Sequence, residues 1–267
     1  MLSFSHRARS VGFTLVELLT VIAIIGILAA IIIPTLGSVR EKAQRAVDAN
    51  NLREILKAAQ LYAADHQDRL PDPLLISNQV LAADELVWKW PGVLARDNLV
   101  TDPSFYFARN DPAFSGTLPP FILKPGADRN ELHEDFTTGR TLSWEFVGGV
   151  KMGDPATTPV AYTRGLRADG TWSATSGVYR DAGGFVGFLG GAVIFYPSTN
   201  PETNPPGVFF SNNRTGSGTS RPADVREAIP FYGEGAANNS RVYGVVPPSG
   251  EGGMLGTPNG TAATAGP

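Results

Sequence analysis

Residues that could do chemistry are sparse and scattered along the chain. There are three histidines and no cysteine, which excludes thiolate metal sites, thiol catalysis and disulfide bonds. His133 stands among acids that include Glu134 and Asp135, but adjacent residues on one loop rarely converge on one ion, so we interpret the segment as a solvated turn. Asp169 and Asp181 could bind Ca²⁺ as loop carboxylates, yet the EF-hand spacing is missing and a turn is the preferred interpretation.

Motifs of the common enzyme families are also missing. The sequence has no Gly-x-Ser-x-Gly elbow, phosphate-binding loop, dinucleotide fingerprint or His-Glu-x-x-His motif. We therefore predict a protein that is not an enzyme, with no metal and no cofactor. A net charge of −3 argues against nucleic acid as a partner, because nucleic-acid binders usually carry a basic face. We assign the four tryptophans to core packing rather than to ligand stacking.

One acid stands in an unusual place. Residues 13–33 form an apolar run of 21 residues in which Glu17 is the single charge. As a helix this run would be about 32 Å long, which matches a hydrocarbon core of about 30 Å. A cleaved secretory signal has a shorter apolar core and a small-x-small site, so we predict a membrane-spanning helix instead.

The carboxyl group of Glu17 needs an explanation, since an acid at the centre of a spanning helix costs roughly 2.5–3.5 kcal/mol. One explanation is that Glu17 lies one turn inside the helix and is tolerated by the positive end of the helix dipole. The other is that Glu17 pairs with a cation supplied in the membrane. A chain cut before Phe13 would carry such a cation, its new α-amino group.

The stretch GFTLVELLTVIAIIGILAAIIIP resembles the N-terminal segment of type IV pilins and type II secretion pseudopilins. In this resemblance Gly12 corresponds to the last residue of a basic leader and Phe13 to the first residue of the mature chain. Glu17 corresponds to the acid four positions later. Pro34 corresponds to the proline near the end of the apolar run, where we expect the helix to bend.

The resemblance implies a route of processing and assembly. A prepilin peptidase would cut between Gly12 and Phe13 and methylate the new amine of Phe13. Glu17 would then pair with the Phe13 amine of a neighbouring subunit. The implied partners are the peptidase, other pilin or pseudopilin subunits, the inner-membrane assembly platform and membrane lipid. The implied location is the inner (cytoplasmic) membrane, single-pass, with the head in the periplasm or cell exterior and the subunit filament-associated after assembly.

The rest of the chain changes character along its length. Apolar residues at helical spacing continue past Pro34 and predict one helix that ends near residues 64–67. Of the 71 residues after Tyr196, 22 are Gly or Pro. We predict five segments: a leader (1–12), a transmembrane part of the helix (13–33), an amphipathic part (34–67), an α+β head (68–196) and a Gly/Pro/Asn-rich extension (197–267) that is disordered from about residue 247.

We predict an α+β fold, in which the long N-terminal helix packs on a small antiparallel β-sheet head and a Gly/Pro-rich tail follows. The last two strands of the head flank Gly190-Gly191, a pair suited to a tight turn. Candidate strands are residues 86–90, 105–108, 121–124, 142–147, 160–163, 185–189 and 192–196. A short helical turn is also possible within residues 91–99.

The function that fits best is a pilin-like structural subunit of a type II secretion or type IV pilus filament. The alternative is a membrane-anchored envelope binding protein that uses the leader only for insertion. An anchored enzyme is disfavoured by the missing motifs. The long extension would crowd a tightly packed shaft, which favours a minor or specialised subunit.

Overall fold

The computed structural model describes residues 13–76, 81, 85–126, 129–205, 207–210, 221–232, 239–245 and 255–263. The chain divides into two compact units, Met1–Arg45 and Ala46–Pro267. The leader, with Gly12, lies outside the described residues.

The dominant element is helix α1, Leu15–Asp65, which has 51 residues. Its end within residues 64–67 is confirmed. The backbone leaves the helix there because Gln67 and Asp68 adopt positive φ, and the Asp68 N–H donates to the carbonyl of Ala63. The helix continues through position 34, so the bend at Pro34 stays a prediction.

The part of α1 in the second unit is amphipathic, and its apolar face packs into the core of the head. Leu52, Ile55, Leu56 and Ala59 are buried, at the spacing of one helix face. The strand Gly184–Phe188 packs close to this helix face because Gly187 has no side chain. A Cβ at Gly187 would lie 2.7 Å from Leu56 Cδ1. The predicted packing of the helix on its own head is confirmed.

The head contains a six-stranded antiparallel sheet in the order β4-β3-β2-β1-β5-β6. The strands are β1 Trp144–Gly148, β2 Pro159–Thr163, β3 Gly184–Phe188, β4 Val193–Tyr196, β5 Arg241–Tyr243 and β6 Thr261–Ala262. In the described part of the head, three short helices accompany the sheet: α2 Lys89–Arg96, α3 Glu134–Thr137 and α4 Val225–Ala228. Single 3₁₀ turns lie at Leu86–Trp88, Pro103–Tyr106 and Arg180–Ala182. The α+β architecture is therefore confirmed, as are the last four candidate strands.

The turn between β3 and β4 is where the Gly-Gly pair predicts it. Phe188 N–H donates to the carbonyl of Ala192 at 2.9 Å, and Gly191 has a φ of +84°. Glycine adopts this left-handed conformation without steric cost, which explains why the pair closes the hairpin.

The first three candidate strands were wrong. Residues 86–90 form the 3₁₀ turn and the start of α2. Residues 105–108 begin inside the Pro103–Tyr106 turn, which Asp102 caps by accepting from Ser104 N–H at 2.8 Å. Residues 121–124 contribute one isolated bridge, Leu123 to Leu132. All three are short apolar runs, which periodicity alone does not assign to helix or strand.

The C-terminal extension contributes to the head core. Phe209, Ile229 and Val242 are fully buried, and β5 pairs directly with β1 in the middle of the chain. Disorder was predicted from about residue 247, but residues 255–263 form β6 and bury Leu255. The physical reason is the open edge of β5, which β6 covers. Residues 246–254 and 264–267 lie outside the described residues.

Candidate functional site

The predicted processing and assembly residues stand at the start of α1. Phe13 precedes the helix and its side chain is 73% exposed. Glu17 lies in the first turn of α1. Phe13 thus lies just before α1, four positions ahead of Glu17. Gly12, the other half of the predicted cleavage bond, falls outside the described residues.

Glu17 is hydrogen-bonded to Thr14, the residue before the helix. Glu17 Oε2 accepts from the Thr14 N–H at 2.9 Å and from the Thr14 hydroxyl at 2.6 Å, and the Glu17 N–H lies 3.2 Å from Thr14 Oγ1. This reciprocal pattern is a capping box. Sequence reasoning missed Thr14, although a Thr three positions before a Glu, ahead of an apolar run, is the signal for such a cap.

The capping box lowers the free-energy cost of placing a carboxylate at this position of an apolar helix. In a bilayer the first N–H groups of a helix have no water to bind, so each needs a partner within the protein. Glu17 supplies one for the Thr14 N–H, and its negative charge lies at the positive end of the helix dipole. Both explanations that the sequence left open are therefore compatible, because a capped carboxylate can still meet a cation.

The apolar part of α1 is long enough to cross a membrane. Leu15–Ile33 is a stretch of 19 residues that qualifies by length and composition. Each of its large apolar side chains is at least 46% exposed. Its polar hydroxyl is satisfied locally, since Thr20 Oγ1 donates to the carbonyl of Glu17 at 3.0 Å. A contiguous apolar surface of this size marks contact with lipid or with other protein surfaces.

The head groups that suggested ligand chemistry have structural roles. His133 caps α3, since its Nδ1 accepts from the Asp135 N–H at 3.1 Å. Asp169 Oδ1 accepts from both the N–H and the hydroxyl of Thr171, which lowers the pKa of Asp169. Within the described ranges, no three His, Asp or Glu side chains are grouped so as to hold a metal ion.

All four tryptophans are buried, which confirms their assignment to the core: Trp88, Trp90, Trp144 and Trp172. Trp90 stacks on Phe146 of β1 at a ring distance of 4.4 Å. Trp144 Nε1 donates to the carbonyl of Phe105 at 2.7 Å. These contacts fix α2 and the Pro103–Tyr106 turn to the sheet, so the tryptophans build the head.

One buried ion pair lies in the head and was not predicted. Arg164 Nη2 and Nη1 bind Asp111 Oδ1 and Oδ2 at 2.6 and 2.9 Å, and both side chains are 1% exposed. The Ser143 hydroxyl also donates to Asp111 Oδ2 at 2.6 Å. Arg164 Nε and Nη1 also donate to the carbonyls of Ser176 and Leu142, at 3.0 and 2.8 Å. A pair so fully satisfied acts as a structural cross-link, and its 53-residue separation left no pattern in the sequence.

Comparison with known proteins finds similarity to the N-terminal segment of the chain. Residues 9–33 match the prokaryotic N-terminal methylation motif. Over 55 residues the chain is 47% identical to the type IV wide pilus major component PilA4 of Thermus thermophilus, covering 21% of this chain and 42% of that protein. Over 61 residues it is 35% identical to the type II secretion system core protein G of Pseudomonas aeruginosa, covering 23% and 43%.

These similarities have a limited extent. The chain spans less than half the length of each of these two relatives. No solved structure matches the chain at a significant level. The motif match includes the predicted cleavage bond and Glu17, and the structure places a capped, membrane-length helix at the same residues. The N-terminal segment of the chain is therefore similar to that of type IV pilins and type II secretion pseudopilins.

Proposed function

We propose that the protein is a structural subunit of a type II secretion or type IV pilus filament, and that its role is not catalytic. A prepilin peptidase removes residues 1–12 by cutting between Gly12 and Phe13, and the new amine of Phe13 is methylated. Residues 13–33 then anchor the mature chain in the inner membrane, with the head on the periplasmic or outer side. The observation that carries the proposal is the position of Glu17. It is the single ionisable residue of the membrane-length stretch Leu15–Ile33, and it lies in the first turn of α1, close to the predicted new terminus.

The exposed apolar surface of α1 suits both stages of this route. Before assembly, Leu15–Ile33 contacts lipid tails along its whole circumference. During assembly, the same side chains exchange lipid for the helices of neighbouring subunits. The exchange is from one dry environment to another, so helix packing and polar contacts rather than the hydrophobic effect select the register.

Glu17 supplies the polar contact that selects the axial position. Both hydrogen bonds from Thr14 use Oε2, so Oε1 can accept from the Phe13 amine of a neighbouring subunit while the capping box stays formed. The ion pair forms where no water competes, which makes a mismatched register costly. The contact joins the terminus of one copy to the first turn of another, so it is heterologous and does not close on itself, as a filament requires.

The other segments follow from this arrangement. The amphipathic part of α1, residues 34–67, connects the membrane to the head and packs on it from Ala46 onward. The head is proposed as residues 68–196 and the extension as residues 197–267. The partners are the peptidase, other subunits of the filament, the assembly platform of the inner membrane and membrane lipid.

The test is substitution of Glu17 in cells that hold the assembly machinery. Glu17→Ala should insert into the membrane as the wild type does and should be absent from sheared filaments. Glu41→Ala is the matched control, because Glu41 is an exposed acid of the same helix, paired with Arg45 at 2.6 Å outside the apolar stretch. Normal filament incorporation of Glu17→Ala would refute the assembly role. Absence of the wild-type protein itself from sheared filaments would instead favour the alternative, a membrane-anchored binding protein.

A further inference from the structure

Glu145 is a fully buried acid in the centre of the sheet. It belongs to β1, between β2 and β5, and lies opposite Tyr162 of β2. No function is assigned to it by the assembly route, which concerns the other unit of the chain. A carboxyl group in such a place is costly unless it is neutral or well paired.

The cover over this carboxyl group is the last described segment of the chain, residues 255–263, which we name the C-terminal strap. The Gly256 N–H donates to Glu145 Oε2 at 3.1 Å. Two glycines make room for the group: a Cβ on Gly256 would lie 2.6 Å from Glu145 Oε2, and one on Gly244 would lie 3.0 Å from Glu145 Cδ. The strap therefore sits directly on the carboxyl group and separates it from solvent.

Few other bonds hold the strap. β6 pairs with β5 at two residue positions. Besides the β5–β6 ladder, three backbone hydrogen bonds join the strap to other described residues of the head: Val87 N–H to the Pro258 carbonyl at 3.0 Å, Gly244 N–H to the Thr257 carbonyl at 3.1 Å and Ala263 N–H to the Ser240 carbonyl at 2.8 Å. An edge element with so few bonds opens at a lower free energy than the central strands.

Burial raises the pKa of Glu145 to about 7. The groups that oppose this rise are the Tyr162 hydroxyl, the Arg164 guanidinium and the backbone N–H groups of Gly165 and Gly256. They compensate only in part. Arg164 is already paired with Asp111, which limits its effect on Glu145.

Among the residues that the structure describes, two further charged groups act on Tyr162, the residue opposite Glu145. Asp224 and Arg226 flank Tyr162 from the side of α4 and are paired with each other at 2.6 Å. The strap brings the Gly256 N–H to the carboxyl group, and Gly244, the residue after β5, also lies against it. Removal of the strap would expose the carboxyl group on the side where Gly256 now covers it.

We propose that Glu145 is a pH-sensitive latch, which holds the C-terminal strap closed when the carboxyl group is neutral and releases it when the group ionises. The ionised group gains water only when the strap leaves. Because the pKa of Glu145 is raised in the closed state, the closed state is favoured at low pH. Its stability falls as the pH rises from the ordinary pKa of 4.5 towards the raised pKa of about 7. Above pH 7 there is little further change. Release uncovers the edge of β5 for pairing with another chain.

Hydrogen exchange on the full-length mature chain in detergent tests the latch. If the carboxyl group titrates near 7 when closed and near 4.5 when open, the opening equilibrium of the strap rises about tenfold between pH 6 and pH 8.5. After correction for the intrinsic rate, exchange of residues 255–263 should rise by this factor. Exchange of β2 and β3 should not.

Three variants complete the test. Glu145→Gln keeps the shape without the charge and should make strap exchange independent of pH. Glu227→Gln is the matched control and should behave as the wild type, since Glu227 also has a burial-raised pKa but lies on α4. Gly256→Ala should open the strap already at pH 6. A wild-type strap without pH dependence, the same dependence in Glu145→Gln, or a closed strap in Gly256→Ala would overturn the proposal.

Discussion

The Thr14 hydroxyl and Glu17 Oε2 are joined by a 2.6 Å hydrogen bond across the first turn of α1. The same carboxylate oxygen accepts from the Thr14 N–H, so Glu17 is a capping residue in the single subunit. Its proposed pairing with a second subunit is an addition to the cap and does not require the cap to break.

The cap gives Thr14 a measurable role. Thr14→Ala removes the hydroxyl from the capping box and should cost about 1 kcal/mol of helix stability at this end. We expect reduced recovery of the subunit in sheared filaments, with a smaller loss than in Glu17→Ala. Thr14→Ser keeps the hydroxyl and should restore wild-type recovery. Equal recovery of Thr14→Ala and wild type would show that the cap does not contribute to assembly.

The absence of native cysteine permits clean cross-linking of the helix. Single cysteines placed in turn along Leu15–Ile33 should form disulfide-linked dimers at a periodic subset of positions in cells that build filaments, because helices pack there through defined faces. A cysteine in the exposed 3₁₀ turn Arg180–Ala182 provides the control for random collision. A binding protein that does not assemble gives no dimers above that control at any position.

The Asp111–Arg164 pair should dominate the stability of the head. Asp111→Asn leaves a buried guanidinium without its countercharge and should cost about 3–5 kcal/mol of unfolding free energy. Chemical denaturation of the full chain in detergent measures it. The exposed pair of Glu54 and Lys57 supplies the comparison, and Lys57→Ala should change the same quantity by less than about 1 kcal/mol. Similar losses in both variants would contradict the structural role of the buried pair.

The hydrogen bond from the Tyr179 hydroxyl to Asp48 Oδ2, at 2.6 Å, ties the head to α1. Tyr179→Phe removes this donor from the buried Asp48 carboxyl group and should destabilise the head by about 1–3 kcal/mol. The measurement is the same denaturation. Tyr196→Phe, at the half-buried end of β4, is the control and should have little effect. An unchanged midpoint for Tyr179→Phe would show that packing alone fixes the helix to the head.

The elements that the sequence predicts well are those whose pattern is long or whose turn is specific. α1 shows its period over 51 residues, and β3 and β4 flank a Gly-Gly turn. α2 was predicted only in part: a helical turn was expected within residues 91–99, whereas residues 89 and 90, which begin the helix, were assigned to a strand because they end a short apolar run. Pro91 falls in the first turn, where its missing N–H costs nothing.

The rest depends on contacts between distant parts of the chain. β5 and β6 pair inside a Gly-rich extension that has little local pattern, and a few apolar residues such as Phe209 anchor it. Asp111 and Arg164, or Glu145 and Gly256, are ordinary polar and small residues until the fold brings them together. Their roles follow from burial, which sequence pattern does not report for single polar residues.

The mass of the N-terminal peptide of the protein, taken from the membranes of its native host, tests the central claim most directly. The account predicts a mature chain that starts at N-methylated Phe13, without residues 1–12. A chain that keeps Met1 to Gly12, in cells where the prepilin peptidase processes its other substrates, would contradict it. The apolar helix would then be a plain signal-anchor.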